Sequence, residues 1–288
     1  MIGGEVVVVP TEQALPGGLS GVLWLPDAPP RAAVLGVAGS SGRVDADRAR
    51  VFAERGAVAA SIRWFGGPGQ PPGICEVPLE TFTAALDTLC SYDPPKLGMI
   101  GVSKGAEAAL LTGVRDDRLD LVAAVAPTSV VWANVGPGRD GAIVPYRSSW
   151  TWRGEPLPFV PYDAAAPAEE SPVACRPMYE RSLAAFADDA LAAAIPVEQI
   201  RGEVVLVAGG DDEMWQSAEF ARELATRRRA AGGRITVVDS DIAGHRPYLP
   251  GEPEPALSPR FRYGGNPAAD AELGARALPH LLAALALH

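Results

Sequence analysis

Lysine is almost missing from this chain: of its 25 basic residues, 2 are lysines, Lys96 and Lys104. Acidic residues number 35, so the formal charge is −10. A nucleic-acid binder normally carries a basic face, and this balance argues against one. Cysteine is scarce too. Cys75, Cys90 and Cys175 form an odd set without CxxC spacing. That excludes a disulfide framework or zinc site and fits a reducing cytoplasm. Histidine is limited to His245, His280 and His288. No His/Cys/Asp grouping has metal-ligand spacing, so no metal and no other cofactor is expected. No apolar run reaches the roughly 18 residues of a membrane span. The Ala-rich stretch 184–195 is interrupted by Asp188 and Asp189. The first residues, Met1-Ile2-Gly3-Gly4-Glu5, lack a basic segment leading into an apolar core, so no secretory leader is expected.

What remains is an ordinary globular composition, 48% hydrophobic and 21% charged, over 288 residues. That length allows a full core within one domain. The 31 glycines and 28 prolines follow no repeat and signal turns and long loops. Strands are expected at 5–10, 21–25, 32–38, 57–62, 97–102, 121–126, 204–208 and 235–238. Most are short and apolar throughout, as strands covered on both faces are. Helices are expected at 45–55, 79–89, 105–113, 217–230 and 268–287. The alternation predicts an α/β fold with a mostly parallel central sheet and helices on both faces. The segment 66–78 is dense in Gly and Pro and reads as a loop. Residues at about 128–195 break the rhythm and read as a lid-like insertion within a single domain, 1–288. The loop 66–78 and the insertion are the two places expected to shape the site. Most insertion aromatics (Trp132, Tyr146, Trp150, Trp152, Phe159, Tyr162) are expected to pack it onto the core, and some to line an acyl site.

One segment carries chemistry. Gly101-Val102-Ser103-Lys104-Gly105 is a G-x-S-x-G motif between an apolar strand and an Ala/Leu-rich helix. A sharp strand-to-helix turn strains its middle residue, and small neighbours two positions away avoid clashes. The hydroxyl is then presented above the sheet, at the positive end of the helix. A serine needs a base. His288 is terminal, and His280 lies within the last helix among leucines, which suits packing or capping. His245, in a loop after a strand, is the candidate, and the order Ser, acid, His is that of an α/β-hydrolase. The acid follows strand 204–208 in Asp211-Asp212-Glu213. Asp212, three residues after Gly209, is favoured, with Asp211 the alternative. Its role is to orient the imidazole and stabilise its charge. Backbone N–H groups of Gly39, Ser40 and Lys104 are the oxyanion-hole candidates. The Gly39–Gly42 loop lacks Walker spacing, so nucleotide binding is not expected. Arg227-Arg228-Arg229 reads as a solvated helix end, though it could meet coenzyme A phosphates. Glu107, in the first turn of its helix, suits the dipole and receives no catalytic role.

These residues resemble a known family. The run Gly101–Glu107 is similar to the nucleophile motif of the acyl-CoA thioesterase and bile acid-CoA:amino acid N-acyltransferase family, in its C-terminal catalytic domain. So are Ile195–Ile200, Asp211–Trp215 and Arg262–Ala268, and Ser148–Pro158 looks like an insertion of bacterial members. The resemblance implies a dienelactone-hydrolase-like α/β-hydrolase with the triad Ser103, Asp212 and His245 acting on acyl thioesters. The length leaves no room for the N-terminal β-sandwich of the animal members, so a lone catalytic domain is expected. Amino-acid-conjugating animal members use cysteine as nucleophile, so serine favours hydrolysis. The expected activity is cleavage of small acyl thioesters, on coenzyme A or a carrier protein. The alternatives are a carboxylester or dienelactone-type hydrolase, an acyltransferase to an amine or alcohol, and a non-catalytic binding module. Neither a nucleic-acid nor a membrane partner is expected.

Overall fold

The computed structural model describes residues 9–163 and 171–288. Its strands are, in chain order, β1 (Thr11–Ala14), β2 (Gly21–Leu25), β3 (Ala32–Val37), β4 (Ala57–Ile62), β5 (Val77–Pro78), β6 (Leu97–Val102), β7 (Leu121–Val125), β8 (Trp150–Trp152), β9 (Glu155–Pro156), β10 (Glu203–Gly209) and β11 (Ile235–Ser240). Helices are α1 (Ala46–Ala53), α2 (Glu80–Cys90), α3 (Lys104–Gly113), α4 (Arg176–Ala185), α5 (Ala187–Ala192), α6 (Ser217–Ala230) and α7 (Pro267–Ala284). Eight strands form one sheet in the order β1-β2-β4-β3-β6-β7-β10-β11. The β1–β2 and β2–β4 pairs are antiparallel, and from β4 to β11 every pair is parallel. The strand expected at 5–10 falls largely outside the described residues. Val9 and Pro10 are not strand, and the chain pairs first at β1.

The apolar runs are legible as two-faced strands. Ala33, Leu35 and Val37 of β3 point into one core, while Ala32 and Val34 point into the other. The same alternation divides β10: Val204, Leu206 and Ala208 against Val205 and Val207. Helices α2, α3 and α6 cover the first face, with Phe82, Leu110 and Phe220. Helices α1 and α7 cover the second, with Phe52 and Leu273. Each fully buried Phe contributes roughly 2–3 kcal/mol of burial. Asn266 starts α7 by accepting from the Ala269 N–H at 3.0 Å, with Pro267 next to it.

The described residues of the insertion hold more regular structure than its composition suggests. β5, β8 and β9 form a three-stranded sheet, and α4 and α5 follow. Strands of two or three residues leave no readable period. The end of the supposed loop 66–78 is itself β5. No helix among the described residues is long and apolar enough to cross a membrane.

The arginine run is not the solvated helix end expected from its position. Arg228 is not solvated but 2% exposed. Its Nε donates to Arg234 O at 2.9 Å, and Nη1 to Val197 O and Ile200 O at 2.9 and 2.6 Å. Nη2 reaches Gly202 O, and Arg227 reaches Ile195 O. The guanidinium thus ties the turn before β10 to α6. Arg228→Met is expected to cost about 2–4 kcal/mol, because buried carbonyls lose their donor. Urea unfolding monitored by circular dichroism would measure it.

Candidate active site

Ser103 sits where β6 turns into α3, at φ 57°. That left-handed value is strained for a side chain-bearing residue and survives only where the surroundings enforce it. They do. A Cβ on Gly101 would lie 1.9 Å from Gly105 O. The Ser103 N–H donates to Val125 O at 2.8 Å, and its carbonyl accepts from the Ala106 and Glu107 N–H groups.

The other two candidates arrive from the ends of β10 and β11. His245 Nε2 lies 2.9 Å from Ser103 Oγ. His245 Nδ1 donates to Asp212 Oδ2 at 2.8 Å. The second oxygen, Oδ1, accepts from the Met214 and Trp215 N–H groups at 2.8 and 3.1 Å. Asp212 is fully buried and His245 nearly so. The imidazole is held further: the His245 N–H donates to Tyr263 O, and Trp215 meets the ring edge-on at 5.6 Å. Asp270 accepts from the Gly244 N–H at 2.7 Å, and burial pushes its carboxyl above the ordinary range. Asp211 faces elsewhere, accepting from the Gly265 N–H at 2.9 Å. His280 is exposed on α7 rather than packed among leucines, and His288 is exposed at the terminus.

The oxyanion candidates flank this line. A Cβ on Gly39 would stand 3.1 Å from Ser103 Cβ and 3.6 Å from its Oγ, so that loop backbone abuts the nucleophile. Gly39, Ser40 and Lys104 all line the same cavity as Ser103. Lys104 is the first residue of α3, where helix geometry leaves its N–H without an internal partner.

Its side chain does something unforeseen. Lys104 Nζ is buried, 2.6 Å from Glu107 Oε2 and 2.8 Å from Ser149 Oγ. Glu107 Oε1 accepts from the Trp132 N–H at 3.0 Å and Trp150 Nε1 at 2.7 Å. So Glu107, which is fully buried, holds the insertion against the helix that carries Ser103. Burial pulls the Lys104 ammonium below its ordinary pKa, and Glu107 opposes that. The i, i+3 spacing of the two was the one available sequence signal. Glu107→Gln is expected to destabilise the fold by about 3 kcal/mol, since it strands a buried cation. Adding Lys104→Met should recover part of that loss, as denaturant midpoints would show.

The cavity around Ser103 and His245 is about 960 Å³. Tyr146 and Tyr162 of the insertion line it, with Tyr179 and Met178 of α4. Trp132 and Trp150 are instead core residues. Trp152 and Phe159 pack against that core. None of residues 66–78 is among the described lining, contrary to expectation. The facing wall is built by residues 246–263, including Arg246, Phe261 and Tyr263. Cys175 also lines the cavity, but burial and the Asp212 charge raise its pKa and keep it a thiol. Among the described residues no cluster could hold a metal ion.

Residues 77–282 match the sequence profile described as BAAT / Acyl-CoA thioester hydrolase C terminal. The chain belongs to this family. It is 25% identical over 277 residues to acyl-coenzyme A amino acid N-acyltransferase 2 of Rattus norvegicus, covering 91% of this chain and 62% of that protein. To acyl-coenzyme A thioesterase 6 of Mus musculus it is 25% identical, covering 80% of this chain and 52% of that protein. The chain thus spans little more than half the length of these curated relatives. Among solved structures it is similar to the dienelactone hydrolase-like promiscuous phosphotriesterase P91 from metagenomic libraries. The TM-score is 0.57 at 15% identity, over 98% of this chain and 100% of that one. That likeness speaks to fold: the architecture is a dienelactone-hydrolase-like α/β-hydrolase. Family and fold together support a hydrolase or an acyltransferase.

Proposed function

We propose that this chain is a serine hydrolase that cleaves acyl thioesters, on coenzyme A or a carrier protein. The observation that carries the reading is the line Ser103 Oγ–His245 Nε2–Asp212 at 2.9 and 2.8 Å, opening on the cavity. Family membership supports an acyl thioester as substrate. In this reading His245 takes the Ser103 proton as Oγ attacks the acyl carbonyl. Asp212 keeps the imidazole in the attacking tautomer and offsets its positive charge. N–H groups of Gly39 or Ser40, and of Lys104, bind the oxyanion. The thiol leaves with the proton from His245. A water, deprotonated by the same imidazole, then releases the acid and restores Ser103.

The same proposal treats the chain as one catalytic domain in which the insertion at about 128–195 lids the cavity. Three free cysteines fit a reducing, cytoplasmic setting. A panel of acyl-CoA thioesters and nitrophenyl oxygen esters tests the substrate class. Higher kcat/KM for thioesters is expected, and oxygen esters alone being cleaved would refute it. A second reading, acyl transfer to an amine, is favoured by one observation: the rat relative is named an amino acid N-acyltransferase. Product analysis with glycine or taurine present separates the two. Free acid as the main product supports hydrolysis, and an N-acyl conjugate supports transfer.

A further inference from the structure

We propose that Arg43 and Arg246 form an anion-binding subsite in the wall of this cavity, for a carboxylate or phosphate carried by the substrate. The proposal rests on Ser103 being the reacting group. Both arginines line the cavity that contains Ser103. Arg43 immediately follows the Gly39–Gly42 loop, and Arg246 immediately follows His245. The Arg246 guanidinium lies 5.7 Å over the Tyr263 ring, and the centre of the same ring is 6.3 Å from that of His245. Tyr263 thus neighbours both this cation and the imidazole.

What distinguishes the pair is the lack of an acid in ion-pair contact. Neighbouring charges on the same wall are paired. Arg48 makes a bidentate contact to Glu252 at 2.5 and 2.9 Å and lies 3.6 Å from Asp45. Asp47 lies 3.5 Å from Arg50. Glu254 is the remaining acid of the lining and is exposed. Among the described residues neither Arg43 nor Arg246 makes a side-chain hydrogen bond or ion pair, and the stacking on Tyr263 is the sole side-chain contact of its kind for Arg246. Arg246 is also partly desolvated and faces the like charges of Arg43 and Arg48, which together pull its pKa down despite Asp45 and Tyr263. Two guanidinium groups in one cavity wall, in a chain of net charge −10, are left under-compensated. An oxyanion relieves that state, because the guanidinium fork matches pairs of carboxylate or phosphate oxygens.

Three probes separate the sources of the anion by calorimetric titration of the Ser103→Ala protein. S-hexanoyl-N-acetylcysteamine is neutral, S-glutaryl-N-acetylcysteamine carries an acyl carboxylate, and hexanoyl-CoA carries phosphates on the thiol. At least one anionic probe is expected to bind about tenfold or more tighter than the neutral one. Arg43→Gln/Arg246→Gln should abolish that preference while neutral-probe affinity stays within about twofold. Loss in the glutaryl arm assigns a carboxylate, and loss in the CoA arm a phosphate. Arg43→Gln alone, an exposed change that cannot unfold the chain, should weaken the preferred anion several-fold. Equal affinity for all three probes, no measurable binding of either anionic probe, or a preference untouched in Arg43→Gln overturns the subsite. Should the unsubstituted chain hydrolyse no thioester, the activity reading fails separately, and the titrations still decide the subsite.

Discussion

Ser103→Ala is expected to lower thioester turnover by about 10⁴-fold or more, the scale on which members of such a unit fail. The change removes the atom 2.9 Å from the imidazole and nothing that holds the fold. The N–H of residue 103 still donates to Val125 O, and Gly101 still admits the tight turn. Thermal unfolding should therefore shift little, and substrate binding should persist. An accompanying collapse of stability would mean the lost turnover reports misfolding. A variant retaining full turnover would place the chemistry on another group.

Asp212→Asn is the second large effect, expected near 10⁴-fold in kcat. The amide can donate as well as accept, so it no longer selects the tautomer that leaves Nε2 free to take the serine proton. The loss of a full charge beside a buried imidazolium adds to this. Asp211→Asn is the control. Its carboxylate meets the Gly265 N–H rather than His245, so turnover should stay within about tenfold of the parent. Steady-state kinetics of both variants decides between adjacent residues. Equal losses, or the larger loss at Asp211, would reverse the assignment of the acid.

The features readable in the sequence are those fixed by local pattern. Strands β3, β4 and β6 were legible because strands covered on both faces are apolar throughout. The turn at Ser103 was legible because such strained backbone demands glycines at fixed spacing, and the approach of His245 to it because three histidines leave little choice. Asp211 and Asp212 were nearly indistinguishable. Only contacts to His245, 33 residues from Asp212, and to Gly265, 54 residues from Asp211, sort them. Arg228 looked like a dipole-compensating helix end, since the carbonyls that bury it come from residues 197–202 and 234. The role of Glu107 is hidden from the sequence for a similar reason: its partners Trp132 and Trp150 lie 25 and 43 residues away in a segment without periodicity. The cavity wall at 246–263 carries no regular strand or helix, so nothing in its pattern marked it.

The central claim is that the acyl group passes through Ser103. Rapid quenching of the protein mixed with an acyl-CoA, followed by peptide mass spectrometry, tests it directly. The account predicts an acyl-mass adduct on the peptide containing Ser103, formed before free acid accumulates. Hydrolysis with no such adduct, or an adduct on Cys175 in the same cavity, would contradict it.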